Sequence, residues 1–232
     1  MALLSGGERP ADGAREEFPS PGCVSALVRL SAALASRREE EVDRALSEAM
    51  GACSPRAVEE AIVQSYLFLG YPAALNGLAR WRSLSGVSPA AGEGEESPEK
   101  WRERGERVCR DVYQGQYRGL RENVRALHPD MEDWMVTEGY GKVLGRPGLP
   151  LRVRELCIVS ILAVQEVPRQ LHSHLRGALH VGATPGEVEV ALALAEPHLS
   201  PSGREEARQI WHRVLERMDR TPPRGRSREE GR

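Results

Sequence analysis

The sequence predicts an all-α protein. Ala, Leu, Glu and Arg recur throughout its 232 residues while aromatic residues make up only 5 %, and the short Val/Tyr/Thr-rich runs of a sandwich or barrel are missing. Ser54-Pro55 and Thr184-Pro185 each pair an N-cap residue with a first-turn proline, which is a helix-start signal. At 40 % hydrophobic the chain can bury a real core. Lys and Arg total 32 against 34 Asp and Glu, so the basic excess of a nucleic-acid binder is absent. No apolar run approaches the roughly 20 residues that span a bilayer, and the N-terminal residues 1–10 carry no secretory pattern. The expectation is a cytoplasmic protein with neither a membrane nor a nucleic-acid partner.

Residues 1–20 lack periodicity and read as a disordered tail. A first helical unit spans 21–86: helices around Ser25–Leu34 and Glu39–Met50, one from Pro55 to about Phe68, and a fourth from Pro72 bearing Leu75, Leu78, Ala79 and Trp81. Glu59 and Glu60 sit near the start of the Pro55 helix. The polar stretch 87–100 is a linker. A second unit spans 101–216. Its helices are Trp101–Tyr113, Gly115–Leu127 and Met131–Lys142, then, after the Gly/Pro loop 145–150, Val153–Val164, Pro168–His180, Pro185–Leu194 and Arg204–Met218. Gly139 to Lys142 reads as a helix end, and Met131, Trp134 and Met135 as core. Residues 217–232 form an Arg-rich disordered tail.

A shift of 130 residues superposes Pro55 on Pro185, Val58 on Val188, Glu59 on Glu189, Leu69 on Leu199 and Trp81 on Trp211. A tandem repeat of one helical unit explains this. Cys23, Cys53, Cys109 and Cys157 are widely spaced, with no C-x-x-C pair and no histidine at finger spacing. They read as buried free thiols, with neither a disulfide framework nor a zinc site.

Functional side chains concentrate in the second unit, at Arg152, Arg154, Glu155, His172, His174, Arg176 and His180. His172 and His174 flank the Leu171/Leu175/Ala178/Leu179 stripe on opposite sides, so they share no ligand face and metal binding is disfavoured. Glu155 precedes the apolar run 156–164, where a carboxylate needs a partner, and an imidazole across the hairpin supplies one. The two positions differ in height by about four residues, roughly 6 Å of rise, a gap for a long Glu side chain or a bridging water to close.

The segment from Gly145 to Leu156, with Arg152, Arg154 and Glu155, followed by the run Leu171–Val188, resembles the carboxymuconolactone decarboxylase family. It is more distantly similar to that superfamily's alkylhydroperoxidase-D-like branch. Residues Tyr66–Trp81 resemble the same family's last helix and its preceding Gly-x-Pro turn. The resemblance implies an all-α tandem helical-hairpin bundle, self-assembly into a homo-oligomer, and a cofactor-free lyase acting on a small carboxylated lactone or related carboxylic acid. It implies Glu155 and His174 as the catalytic pair, His174 donating the proton and Glu155 orienting its ring, with Arg152, Arg154 or Arg176 binding the substrate carboxylate. In the redox branch a C-x-x-C pair stands where this chain has Val167 and Gln170, so a peroxiredoxin-like antioxidant would need a remote thiol such as Cys157. A non-catalytic assembly module is the third reading. Opposite Glu155 the first unit offers Val24 or Ser25, and opposite His174 Asp43 or Arg44. That unit is therefore expected to be structural and to lend its Gly-x-Pro turn to the second unit's pocket.

Overall fold

Ser20 opens the first helix by accepting a hydrogen bond from the Cys23 amide at 3.2 Å, with Pro21 in the first turn of α1 (Pro21–Ser36). The computed structural model describes residues 18–89, 94 and 96–219. Glu39, Glu40 and Glu41 place negative charge at the start of α2 (Glu39–Ala52), where the helix dipole favours it. Ser54 caps α3 (Pro55–Ser85), which bends at Gly70 (φ 78°, ψ 164°) just before Pro72. That left-handed φ suits glycine, and Pro72 cannot continue the hydrogen-bond ladder. The two helices expected here therefore run end to end across one bend.

Ser97 caps α4 (Pro98–Tyr113), and within the expected linker Glu96 is already anchored, accepting from Arg104 at 2.6 and 2.9 Å. A 3-10 turn, Gln114–Gln116, leads into α5 (Tyr117–Leu127) and α6 (Pro129–Trp134). α6 passes directly into a π-helical segment, Met135–Leu144, where a regular helix ending near Lys142 is expected from the sequence. Backbone crowding accompanies the change. A Cβ at Gly105 would lie 1.9 Å from the Val136 carbonyl oxygen, and one at Gly141 would lie 2.0 Å from that of Trp101. α4 and the π segment thus cross backbone to backbone.

The second set of helices is α7 (Leu151–Val164), α8 (Pro168–His180), α9 (Pro185–Ala195) and α10 (Pro201–Asp219). A capping box between Thr184 and Glu187 starts α9, satisfying two amides at once. The described residues are helical with no strand, so the chain is an all-α protein as expected. Its most extensively buried helices, α1 and α7, pack on each other at the centre. Ser160 ties them by donating to the Val28 carbonyl at 3.1 Å. α1 also packs on α9 and α7 on α3. Trp81 Nε1 donates to Glu59 at 3.4 Å, and Trp211 Nε1 donates to Glu189 at 3.3 Å.

Two of the four cysteines depart from the expectation of free thiols. Cys23 and Cys53 form a disulfide, their Cα atoms 5.0 Å apart. The α1–α2 hairpin returns the chain to its starting end, so sequence spacing alone does not reveal the bond. Cys109 and Cys157 are free and buried. The tails expected over 1–20 and 217–232 fall largely outside the described residues, although α10 continues to Asp219. No described helix is long and apolar enough to cross a membrane.

Candidate functional site

Burial dictates the chemistry of the site. The backbone of α7 puts Glu155 in the core with no solvent exposure, and α8 brings His174 beside it, 7 % exposed. His174 Nδ1 and Glu155 Oε2 are hydrogen-bonded at 2.9 Å. The glutamate side chain closes the expected height difference directly, and α8 leaves it room: a Cβ at Gly177 would lie 2.9 Å from Oε2 and 2.7 Å from a Val112 methyl. Glu155 Oε1 is buried with no hydrogen-bond partner among the described residues. A carboxylate at Nδ1 fixes the ring's orientation and tautomer. It leaves Nε2, for which no hydrogen-bond partner is found among the described residues, as the ring nitrogen available to the cleft that His174 lines.

That open cleft has a volume of about 660 Å³, within the range of small-molecule sites. Phe68 and Tyr113 meet the His174 ring edge-on, with centroids 5.9 and 6.3 Å away. Tyr140, on the π segment, donates to the Tyr113 hydroxyl at 2.8 Å. Burial raises both phenols, so they stay protonated and serve as donors. The bend of α3 supplies the opposite wall. Gln165 Nε2 holds the Phe68 carbonyl at 2.9 Å, and beyond it Tyr71 stacks on Tyr66 at 4.9 Å. Tyr66 donates to Glu138 at 2.9 Å across the cleft. Burial, then the Glu138 acceptor and its charge, raise the Tyr66 phenol.

Of the residues singled out from sequence, Glu155 and His174 come together, and the three arginines do not reach the cleft. Arg154 is fully buried, bound to Glu60 at 2.8 Å, to Gln64 at 3.2 Å and to loop carbonyls. It joins α3, the 145–150 loop and α7. Arg152 lies against Glu187 at 3.5 Å and over the Phe18 ring. Arg176 faces a neighbouring depression with Asn123 and His180, and His180 Nδ1 meets the Val112 carbonyl at 2.7 Å. An apolar stretch of α7 turned inward made its arginine a structural ion, which helix spacing alone does not reveal.

Tyr66, Phe68, Tyr71, Tyr113, Glu138, Tyr140, Arg169 and Gly177 were not singled out from sequence as site residues. The Tyr66–Pro72 run holding Gly70 was the legible signal for three of them. Met131, Trp134 and Met135 line the cleft instead of filling a core, with Met131 and Trp134 more than half exposed. In the first unit the positions opposite the pair carry no acid–base couple. Asp43 is clamped by Arg80 at 2.6 and 2.7 Å. Burial pushes the Cys157 thiol up to about 11, outweighing Ser31 and Arg154, and pushes Cys109 up to about 12. Such thiols are poor nucleophiles, which disfavours the antioxidant reading.

Residues 129–211 match the model of the carboxymuconolactone decarboxylase family. The matched segment makes up well under half of the chain. It holds Glu155, His174 and the π segment, whereas Phe68 and Tyr71 lie outside it. The chain is also 29 % identical over 68 residues to a 4-carboxymuconolactone decarboxylase of Acinetobacter baylyi (strain ATCC 33305 / BD413 / ADP1), covering 29 % of this chain and 51 % of that protein. The chain thus spans about half the length of the curated relative it matches.

Proposed function

We propose that this protein is a carboxy-lyase that decarboxylates a small carboxylated lactone or related acid, with Glu155 and His174 as its acid–base pair. The observation that carries the reading is a buried carboxylate–imidazole pair at the wall of a cleft of small-molecule size, with the second ring nitrogen left without a partner among the described residues. The family of residues 129–211 supports the reaction class. In this reading the bond between the substrate carbon and its carboxylate breaks and CO₂ leaves. The electron pair passes into the conjugated lactone as an enolate-like anion, and the protonated His174 ring delivers its Nε2 proton to that carbon. Solvent then reprotonates the ring. Glu155 stabilises the imidazolium before transfer, and the Tyr113 hydroxyl is a donor available to the developing charge. The paired contacts of α1 with α9 and α3 with α7, and the twin Trp–Glu bonds, support a tandem origin in which the first unit kept its scaffold and lost its site.

A panel of carboxylated lactones, 4-carboxymuconolactone included, tests the reading by CO₂ release. Release from at least one member, lost by a factor of roughly 100 or more in His174→Ala with unchanged far-ultraviolet circular dichroism, is expected. No release from any member, or release undiminished in the variant, overturns it.

A further inference from the structure

The cleft's own chemistry narrows the ligand. Its walls are dominated by Phe68, Tyr71, Trp134, Met131, Met135 and Leu120, from the bend of α3 and from the α5–π region. Stacked aromatic faces and thioethers favour a flat apolar body. The charged groups among its described lining residues are few: Arg169 near the start of α8, Glu138 on the π segment, and His174 when protonated. Arg154 is sealed by Glu60, and Arg152 and Arg176 lie elsewhere. One guanidinium is thus available among these residues, and a carboxyl group that accepts from Tyr66 lines the same cleft.

We infer that the ligand of this cleft is a monocarboxylate carried on an apolar ring system, its single carboxylate meeting Arg169 and its rings lying against Phe68, Tyr71 and Trp134. The inference rests on the reading that the cleft beside His174 is the substrate site. A compound with two carboxylates, as 4-carboxymuconolactone has at neutral pH, would bring its second charge to Glu138 or leave it among apolar side chains, and each alternative is unfavourable.

Binding tests this without turnover, through Trp134 fluorescence checked by calorimetry, with 2-naphthoate and naphthalene-2,6-dicarboxylate as matched probes. The expected result is saturable binding of 2-naphthoate at least about tenfold tighter than that of the dicarboxylate. Arg169→Gln should weaken 2-naphthoate by about tenfold. Glu138→Gln, whose amide oxygen still accepts from Tyr66, should narrow the gap between the probes. Equal or tighter binding of the dicarboxylate, or indifference of 2-naphthoate to Arg169→Gln, overturns the inference. The two proposals fail separately. Monocarboxylate binding without CO₂ release from any lactone removes the lyase reading alone, whereas His174-dependent release only from dicarboxylated lactones, with 2-naphthoate unbound, removes this one alone.

Discussion

The carboxylate of Glu155 and the guanidinium of Arg154 are chain neighbours, both fully buried, and they have opposite fates. Arg154 meets Glu60, Gln64 and three backbone carbonyls, whereas Glu155 is half satisfied, one oxygen on His174 and the other bare. A fully bonded buried ion holds a fold together, and a partly bonded one is more often kept for chemistry. Arg154→Leu removes one guanidinium from Glu60, which keeps its bond to Arg146. It should cost about 3 kcal/mol of stability, read as a lowered urea midpoint. Gly177→Ala would set a methyl 2.9 Å from Glu155 Oε2 and should push the carboxylate off His174. The expected outcome is a folded protein whose CO₂ release falls about as far as that of His174→Ala, by roughly 100-fold or more; wild-type activity in that variant would mean the contact is dispensable. Glu155 and His174 were legible because a lone acid before an apolar run demands a partner. The positions of Arg152, Arg154 and Arg176 away from the cleft are not legible in the sequence, because helix spacing does not say which arginine the neighbouring loop and helix will enclose.

Helix α5 has no buried residue, yet its Leu120 and Val124 form part of the cleft wall. What fixes it is α6. Glu132, 3 % exposed, accepts from Arg121 and, at 2.7 Å, from Arg125. Burial alone would raise the Glu132 carboxyl, but the bonds and charges of Arg125 and Arg121 outweigh it and hold the group below its ordinary value of 4.5. A depressed carboxyl stabilises the folded arrangement fully above its ordinary value, and the contribution is lost as pH falls through the lower folded value. Amide exchange in α5 should therefore rise below pH 4.5 before that of α7 does. Glu132→Gln should bring the same loosening at neutral pH, and α5 protection unchanged in that variant would contradict this account. Most elements could be read from capping pairs and periodicity: Pro168–His180 coincides with α8, and Ser54 and Thr184 cap as expected. The π segment could not, because its geometry accompanies the Gly105–Gly141 crossing, a contact between elements with no local signature.

At the scale of the molecule, α7 and α8 supply the carboxylate–imidazole pair and α3 supplies the bend that lines the same cleft. Gly70 turns α3 where Phe68 meets His174 edge-on and Tyr71 lines the same cleft, although residues 129–211 alone carry the family match. The Cys23–Cys53 disulfide closes a span of 30 residues in the unit bearing that bend. Replacing both cysteines by serine should cost about 3 to 4 kcal/mol on the chain-entropy account. A thermal midpoint unchanged by the replacement would show the bond to be without weight. The central claim is that Glu155 holds the proton on His174 Nδ1 and leaves Nε2 to the cleft. Nitrogen-15 correlation spectra of the histidine rings test it most directly, with His174→Gln assigning the signal. The account predicts a ring whose Nδ1 stays protonated and whose Nε2 resonance shifts on addition of 2-naphthoate. A ring protonated at Nε2, with Nδ1 bare, would contradict it.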